Sequence, residues 1–116
     1  MAEEKLMAIR GDTVEYDFAA RRKDNSIINL TDAEEIKFTI RPSVAGGALI
    51  TKRLNVGVEV ENAELGLFTV TLFPPDTQLF GDYKILVYDA EVTDVDGTVV
   101  TVQHGYITVI GDVSRG

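Results

Sequence analysis

The sequence lacks cysteine and tryptophan altogether and has a single histidine in 116 residues. Without cysteine there can be no disulfide scaffold, no thiolate metal site and no cysteine nucleophile. One histidine leaves too few nitrogen ligands for a structural zinc site. Basic residues are scarce, since 11 Lys and Arg stand against 19 Asp and Glu, and the formal net charge is −8. This balance argues against nucleic-acid binding, because neutralising phosphates requires a basic face.

Long hydrophobic runs are also missing. No stretch approaches the roughly 20 apolar residues of a membrane-spanning helix, so we expect no membrane partner. The N-terminus begins with the acids Glu3 and Glu4, and the apolar run at residues 6–9 is too short for a secretory signal. We therefore expect synthesis in a cytoplasm and retention there until assembly.

The length of the chain fits one domain. Domains of about 100–150 residues are the most common, and a chain of this size buries about two thirds of its unfolded surface without disulfides. We predict a single β domain over residues 1–116, with residues 111–116 as an exposed tail.

Hydrophobic residues recur with a period of two, which is the pattern of half-buried strands. The alternation is clear over residues 14–20, 36–40 and 68–72. Residues 83–88 are apolar on both faces, which predicts a central strand that is covered on both sides or has its second face against a partner. The pair Asp96 and Gly97 predicts a tight hairpin. Strands about ten residues apart, separated by such turns, indicate a sandwich or barrel.

Smaller features refine this prediction. Residues 74–80 begin with two prolines and favour one or two helical turns, of 3₁₀ type, between the sheets. Gly105 is expected to mark a bend or bulge in a long strand over residues 99–110. Residues 6–9 and 48–54 are the two candidates for pairing with a partner strand.

Four acids lie within eight residues, namely Asp89, Glu91, Asp94 and Asp96. One interpretation is a calcium site with hard oxygen ligands around Asp94 and Asp96. The other is a solvated hairpin whose acids keep a sheet edge soluble. The sequence leaves both interpretations open, because the ligands that an EF-hand loop places after Asp-Gly are absent.

The sequence marks no catalytic group. His104 has no nucleophile or carboxylate at a diagnostic spacing, and Gly46-Gly47 lacks the Lys-Ser/Thr that a phosphate-binding loop needs. We therefore predict no catalytic residue, no cofactor-binding residue and no metal ligand, and expect that the protein is not an enzyme.

A series of motifs along nearly the whole chain resembles small virion proteins of tailed phages and prophages, and in particular the N-terminal domain of phage baseplate upper proteins. The order and spacing of the motifs carry the resemblance, since each alone is ordinary turn or strand chemistry. They are Ile9-Arg10-Gly11-Asp12-Thr13, Asn29-Leu30-Thr31-Asp32-Ala33, Ile36-Lys37-Phe38-Thr39-Ile40-Arg41, Gly66-Leu67-Phe68-Thr69-Val70, Asp76-Thr77-Gln78-Leu79, Gly81-Asp82-Tyr83, Asp96-Gly97-Thr98-Val99-Val100-Thr101, Gly105-Tyr106-Ile107-Thr108-Val109 and Asp112-Val113.

The resemblance implies an immunoglobulin-like antiparallel β-sandwich that acts as an assembly or attachment module. Its expected partners are other virion proteins of the capsid or of the tail and baseplate, and copies of itself in a homo-oligomer. It would act as a decoration, joining or adaptor protein, made in the host bacterial cytoplasm and located in the virion. The expected contact residues are Arg21, Arg22 and Lys23 at a hairpin tip and Gly46 and Gly47 in a loop.

A second hypothesis is a carbohydrate- or host-receptor-binding module on the same sandwich. It requires exposed aromatic side chains, and Tyr88 and Tyr106 are the two candidates, because their hydroxyl groups favour a surface position.

Overall fold

The computed structural model describes the backbone of residues 2–111 and the side chains of residues 5–111. The predicted tail beyond Gly111 lies outside the described residues. The fold is nearly all-β, as predicted. Its elements are β1 (Ala2–Ile9), β2 (Val14–Ala19), β3 (Glu35–Arg41), β4 (Ile50–Leu54), β5 (Gly57–Asn62), β6 (Leu67–Leu72), α1 (Pro74–Gln78), β7 (Ile85–Thr93) and β8 (Val99–Ile110).

All eight strands form one mixed sheet in the order β1-β8-β7-β3-β4-β5-β6-β2. Most neighbours are antiparallel, but β1 runs parallel to β8 over eight paired positions and β4 runs parallel to β5 over two. The expectation of a purely antiparallel arrangement is therefore wrong for these two pairs. Alternation of apolar residues defines the faces of a strand but not the direction of its neighbour.

The sheet curls so that its two halves face each other and form a near-barrel. The ring of Phe18 on β2 lies 5.7 Å from Phe38 on β3 and 6.3 Å from Tyr88 on β7, although these strands are not neighbours in the sheet. Tyr16 on β2 also packs on Phe38, with ring centroids 6.1 Å apart. This aromatic cluster fills the centre of the core between the two halves.

The predicted central strand is β7, which is paired with β8 on one side and with β3 on the other. Leu86, Tyr88, Ala90 and Val92 are buried in the core. The alternate residues point to the outside, where Ile85 is 58% exposed. The second apolar face of this strand is thus open in the described structure.

The Asp96-Gly97 hairpin is confirmed. Gly97 has φ +81°, and the Asp94 N–H donates to the Thr98 carbonyl at 2.9 Å. Asp94 Oδ1 also accepts hydrogen bonds from the backbone N–H groups of Asp96 and Thr98. The carboxylate of Asp94 therefore stabilises the turn that the Gly permits.

The helix lies within the predicted residues, but Pro74–Gln78 is an α-helical turn and not a 3₁₀ one. The backbone N–H of Phe73 donates to Asp76 Oδ2 at 2.9 Å, and this bond caps the start of the helix. Thr77 is buried, and its Oγ1 accepts from the Gly11 N–H and donates to the Asp12 carbonyl. These bonds hold the helix against the turn between β1 and β2.

The expected position of the bulge in β8 is wrong. The register shift in β8 leaves Val102 as the extra residue, because Ala90 pairs with Gln103 and Glu91 with Thr101. Gly105 is instead buried and regularly paired with Tyr88. Pairing of residues 6–9 or 48–54 with a partner strand stays a prediction: β1 is paired only with β8, and on the β5 side of β4 only Arg53 and Leu54 are paired.

Candidate docking surface

The outer side of β1, β8 and β7 carries a group of exposed apolar side chains, which we call the apolar face. Residues paired across neighbouring strands share a face of the sheet. Met7 and Ile85 both pair with Thr108, and Val87 pairs with Tyr106. The apolar face consists of Met7, Ile9, Ile85, Val87 and Tyr106.

Four of these five side chains are exposed, and Val87 is half-buried. Ile85 is 58% exposed, Met7 56% and Tyr106 43%, and Ile9 is also exposed. Single exposed apolar residues are ordinary on a protein surface, whereas a contiguous patch marks an interaction site. The paired positions across three strands make this patch contiguous.

Ion pairs between neighbouring strands border the apolar face. Arg41 Nη1 lies 3.0 Å from Asp89 Oδ1, and Lys37 Nζ lies 3.7 Å from Glu91 Oε1. A third pair joins Arg53 to Glu35. These three pairs combine three cations with three anions, so together they add no net charge to this part of the sheet.

The outer side of β2, β5 and β6 is different. Glu15, Asp17, Glu59 and Glu61 alternate with buried or half-buried residues, and these three strands contain no lysine or arginine. Thr69 Oγ1 donates a hydrogen bond of 2.9 Å to Asp17 Oδ1. The strands of this acidic face belong to the half of the sheet that packs against the half carrying the apolar face.

A shallow hollow of about 360 Å³ adjoins the apolar face. Val44, Val87 and Tyr106 supply its apolar lining, and the pair Arg41 and Asp89 supplies charge. His104, which is paired with Asp89 across β7 and β8, completes the polar side. The hollow can accept a side chain or a small polar ring from a partner.

The predicted contact residues Arg21, Arg22 and Lys23 are exposed in the loop between β2 and β3. Arg21 Nη1 donates to the Asn25 carbonyl and Arg22 Nη1 to the Ile27 carbonyl, and both bonds order the loop. Hydrogen bonds from the backbone and side chain of Ser26 lower the pKa of Asp24 in the same loop.

Gly46 and Gly47 lie in the loop between β3 and β4, at the other end of β3. Seven strand residues separate the two ends by about 23 Å. The structure therefore does not bring the two predicted contact regions together. Of these loops, the one with Gly46 and Gly47 reaches the hollow, through Val44.

Three of the four acids in the calcium interpretation bind other groups of the protein. Asp89 and Glu91 pair with Arg41 and Lys37 on the sheet, and Asp94 holds the hairpin turn. Among the described residues, no three His, Asp or Glu side chains are grouped so that they could hold a metal ion.

Tyr88 does not reach the surface as expected. It is 3% exposed, it packs on Phe18 and Phe38, and its Oη accepts a hydrogen bond of 2.8 Å from Gln103 Nε2. The hydroxyl thus has its polar partner inside the protein. Tyr106 is exposed, as expected.

The sequence analysis named residues 6–9 and 83–88 as possible contact segments, but it did not predict that Met7, Ile9 and Ile85 share one exposed face. The available signal was the apolar character of residues 83–88 on both faces. That pattern predicts that the second face of the strand is covered or lies against a partner. Among the described residues, nothing covers the outer side of β7 at Ile85. The sequence could not place Met7 and Ile9 on the same face as residues 83–88, because their position beside β8 depends on a parallel pairing between the two ends of the chain.

No protein-family model and no curated protein matches this chain in sequence. Within residues 2–111, no helix has the length and apolar character to span a membrane.

Proposed function

We propose that the protein is a non-enzymatic assembly module of a tailed-phage virion, which docks on neighbouring protein subunits through its apolar face. The observation that carries this proposal is the exposure of Met7, Ile85 and Tyr106 on paired strands. Apolar and aromatic side chains, with charges confined to the border, form the typical centre of a protein interface. Covering them with a partner removes apolar surface from water.

The proposed fold in detail is an immunoglobulin-like sandwich. Its support is the division of the strands into a group of β2, β6 and β5 and a group of β3, β7, β8 and β1, with β4 beside β3. Immunoglobulin domains likewise place their second, fifth and fourth strands in one sheet and their third, sixth and seventh in the other. Only two paired positions connect β4 to β5, where the two groups meet.

The proposed setting, a virion, rests on the resemblance to phage virion proteins along nearly the whole chain. A repeating particle offers many identical subunits, and a small module with one apolar face suits attachment to such a surface. The capsid and the tail or baseplate are both possible attachment points within this proposal. Synthesis would take place in the cytoplasm of the host bacterium.

The test is the amount of the protein in purified particles of the source phage, with heads and tails separated. Hundreds of copies with heads would indicate a decoration role, and a few to a few dozen with tails would indicate a joining or adaptor role. Absence from both would overturn the proposal. The variant Ile85→Lys should lose incorporation, because it puts a charge in the apolar face, whereas Val56→Lys, at an exposed turn elsewhere, should not.

A carbohydrate-binding role is the second candidate, and the hollow beside Tyr106 favours it. An exposed aromatic ring with Arg41, Asp89 and His104 nearby combines a stacking surface with hydrogen-bonding groups. Retention of the protein on immobilised host glycans tests this role. Tyr106→Ala should abolish retention, and equal retention of this variant, or none by the wild type, would exclude the candidate.

A further inference from the structure

One edge of β2, which we call the β2 edge, has no neighbouring strand. Within the part of the chain that the structure describes, β2 pairs with β6 alone and stands last in the order of the sheet. The N–H of Ala20, just past the end of β2, donates to the Gly66 carbonyl in register with the β2–β6 pairs. Backbone groups alternate between the two sides of an antiparallel strand, so the even-numbered residues of β2 bond to β6. The N–H and C=O groups of Glu15, Asp17 and Ala19 therefore point away from β6 and form the β2 edge.

The β2 edge lacks the features that usually block the addition of a strand. β2 is a regular strand of six residues, VEYDFA, without lysine, proline or a bulge. The other edge of the sheet, on β1, is less open. Its carbonyls at Met7 and Ile9 accept hydrogen bonds from Tyr16 Oη and from the Asp12 N–H. β2 therefore offers the longer row of backbone groups to a partner strand.

We propose that the β2 edge binds an extended segment of a partner protein as an added strand, and that this segment carries Lys or Arg at alternate positions. Extended peptides bind exposed sheet edges in this way, with affinity from main-chain hydrogen bonds and specificity from side-chain contacts. Constant-type immunoglobulin domains have a strand of their own in this position, because their first strand pairs with their second. Here β1 pairs with β8 instead, so the position beside β2 is open to a strand from another protein.

The side chains beside the β2 edge select a basic segment. Glu15 and Asp17 are exposed on the outer side of β2, and Glu59 lies two strands away, where it pairs with the same Thr69 as Asp17. The three strands of this acidic face contain no lysine or arginine. Opposite charges directly across neighbouring strands attract, and like charges repel. A Lys or Arg on the added strand would lie next to Glu15 or Asp17, whereas an acidic segment, including β2 of another copy, would be repelled.

A shallow hollow of about 590 Å³ over β2 and β6 gives one basic side chain a specific place. Glu15, Asp17 and Glu61 line it together with Leu67, which is exposed. Lys and Arg cover apolar surface with their methylene chains while their charged groups stay with polar partners. One Lys or Arg of the segment can thus pack on Leu67 and place its charge among the three acids.

Arg21 limits the basic part of the segment. It continues the alternation of β2 beyond Ala19, it is exposed, and its Nη1 donates to the Asn25 carbonyl at 3.0 Å. A basic side chain opposite Arg21 would meet a like charge. The matching segment therefore has Lys or Arg opposite Glu15 and Asp17 and an uncharged or acidic residue opposite Arg21.

A labelled synthetic heptapeptide that alternates lysine and valine tests the inference, with fluorescence anisotropy as the readout. The full chain should bind it with a dissociation constant in the micromolar to submillimolar range, and should not bind the same peptide with glutamate in place of lysine. N-methylation removes N–H groups of the peptide without changing its charge. Since alternate N–H groups face β2, methylation of either the lysine or the valine nitrogens, but not of both sets alike, should abolish binding. Equal binding of both methylated peptides and the plain peptide would overturn strand addition, and so would failure of the plain peptide to bind.

Variants of the protein test the choice of a basic segment. Glu15→Gln combined with Asp17→Asn should weaken binding by about tenfold, the loss expected for two exposed ion pairs. Asparagine at position 17 keeps an acceptor for Thr69 Oγ1. The matched control is Asp32→Asn combined with Glu34→Gln, at exposed acids before β3, and it should bind like the wild type. Equal binding by both double variants would show that the acids of β2 do not select the segment and would overturn this part of the inference.

Hydrogen exchange with the lysine peptide locates the contact. The amides of Glu15, Asp17 and Ala19 should exchange rapidly in the free protein and slowly with the peptide bound. Ala19→Pro removes one N–H from the β2 edge and none from the β2–β6 pairs, so it should weaken binding while the fold is kept. Protection confined to another strand would overturn the assignment to β2.

This inference goes beyond the docking role of the apolar face and does not depend on it. A protein that enters particles but binds none of the peptides would keep the docking role and overturn the β2 edge as a binding site. A protein that binds the lysine peptide at β2 but is absent from particles would keep the binding site and overturn the virion role.

Discussion

Tyr16 Oη donates a hydrogen bond of 2.9 Å to the main-chain carbonyl of Met7. Met7 belongs to β1, the first strand in the order of the sheet, and Tyr16 belongs to β2, the last. The bond therefore connects the two edges of the near-barrel. It also fixes the backbone of the strand that presents the Met7 side chain to the outside.

Tyr16→Phe should lower the free energy of unfolding by about 1 kcal/mol, the typical net contribution of one hydrogen bond. Chemical denaturation measures this loss, and hydrogen exchange of the β1 amides should become faster at the same time. Tyr83→Phe, at an exposed tyrosine, is the matched control and should change stability by less than about 0.5 kcal/mol. Equal stability of wild type and Tyr16→Phe would contradict the structural role of this contact.

The pair Lys52 and Asp76 joins β4 to the helix. Lys52 Nζ lies 2.9 Å from Asp76 Oδ2, and the side chains are 17% and 19% exposed. Asp76→Ala should cost about 3 kcal/mol or more, because it leaves an ammonium group largely buried and removes the cap on Phe73. Asp76→Asn keeps an acceptor for the cap and should cost less. Denaturation midpoints of both variants check the order.

A double-mutant cycle separates the ion pair from the cap. The double variant Lys52→Met/Asp76→Asn should lose less stability than the sum of the losses in the two single variants. Each single variant leaves one charge without its partner, whereas the double variant removes both charges. Strictly additive losses would show that the pair itself contributes nothing.

The sequence predicts strands where side chains alternate between the core and water, as in β2, β3 and β6. It also predicts the hairpin at Gly97, because that turn depends on local backbone angles. The neighbour of each strand depends on contacts across the whole chain, and the parallel pairing of β1 with β8 leaves no local signal. The bulge at Val102 was missed for a related reason, since a bulge needs no glycine when its backbone stays near the helical region.

The site was predicted only in part. The apolar character of residues 83–88 on both faces predicts that the second face is covered or lies against a partner, and Ile85 on that face is exposed. Tyr88 was assigned to the surface because its hydroxyl needs a partner, but Gln103 on the adjacent strand provides one inside the fold. Composition cannot show such a pairing, because it depends on the register between β7 and β8.

Gly66 lies close to the backbone of two other residues, Ala20 and Ile28. Its φ is +71°, and a Cβ there would lie 2.8 Å from the carbonyl oxygens of Ala20 and Ile28. Gly66→Ala should therefore destabilise the fold by about 2 kcal/mol or more, through strain and collision. Gly47→Ala is the control, since a Cβ at Gly47 meets nothing within 4 Å, and it should be neutral or slightly stabilising. Thermal unfolding of both variants makes the comparison, and equal melting temperatures would contradict it.

The stability of the protein should fall in alkaline solution because of Tyr16. Burial raises the pKa of Tyr16, and the nearby Tyr88 raises it further. In the unfolded chain this tyrosine ionises near its ordinary pKa of about 10, whereas in the folded protein it keeps its proton. Above that pH the folded state binds more protons than the unfolded state, so the free energy of unfolding decreases as pH rises. The slope from this one group approaches about 1.4 kcal/mol per pH unit.

Denaturation of wild type and Tyr16→Phe between neutral pH and pH values above 10 isolates the contribution of Tyr16, because other groups titrate equally in both proteins. The two stabilities should converge as pH rises, and parallel profiles would show that Tyr16 ionises as freely in the folded protein as in the unfolded chain.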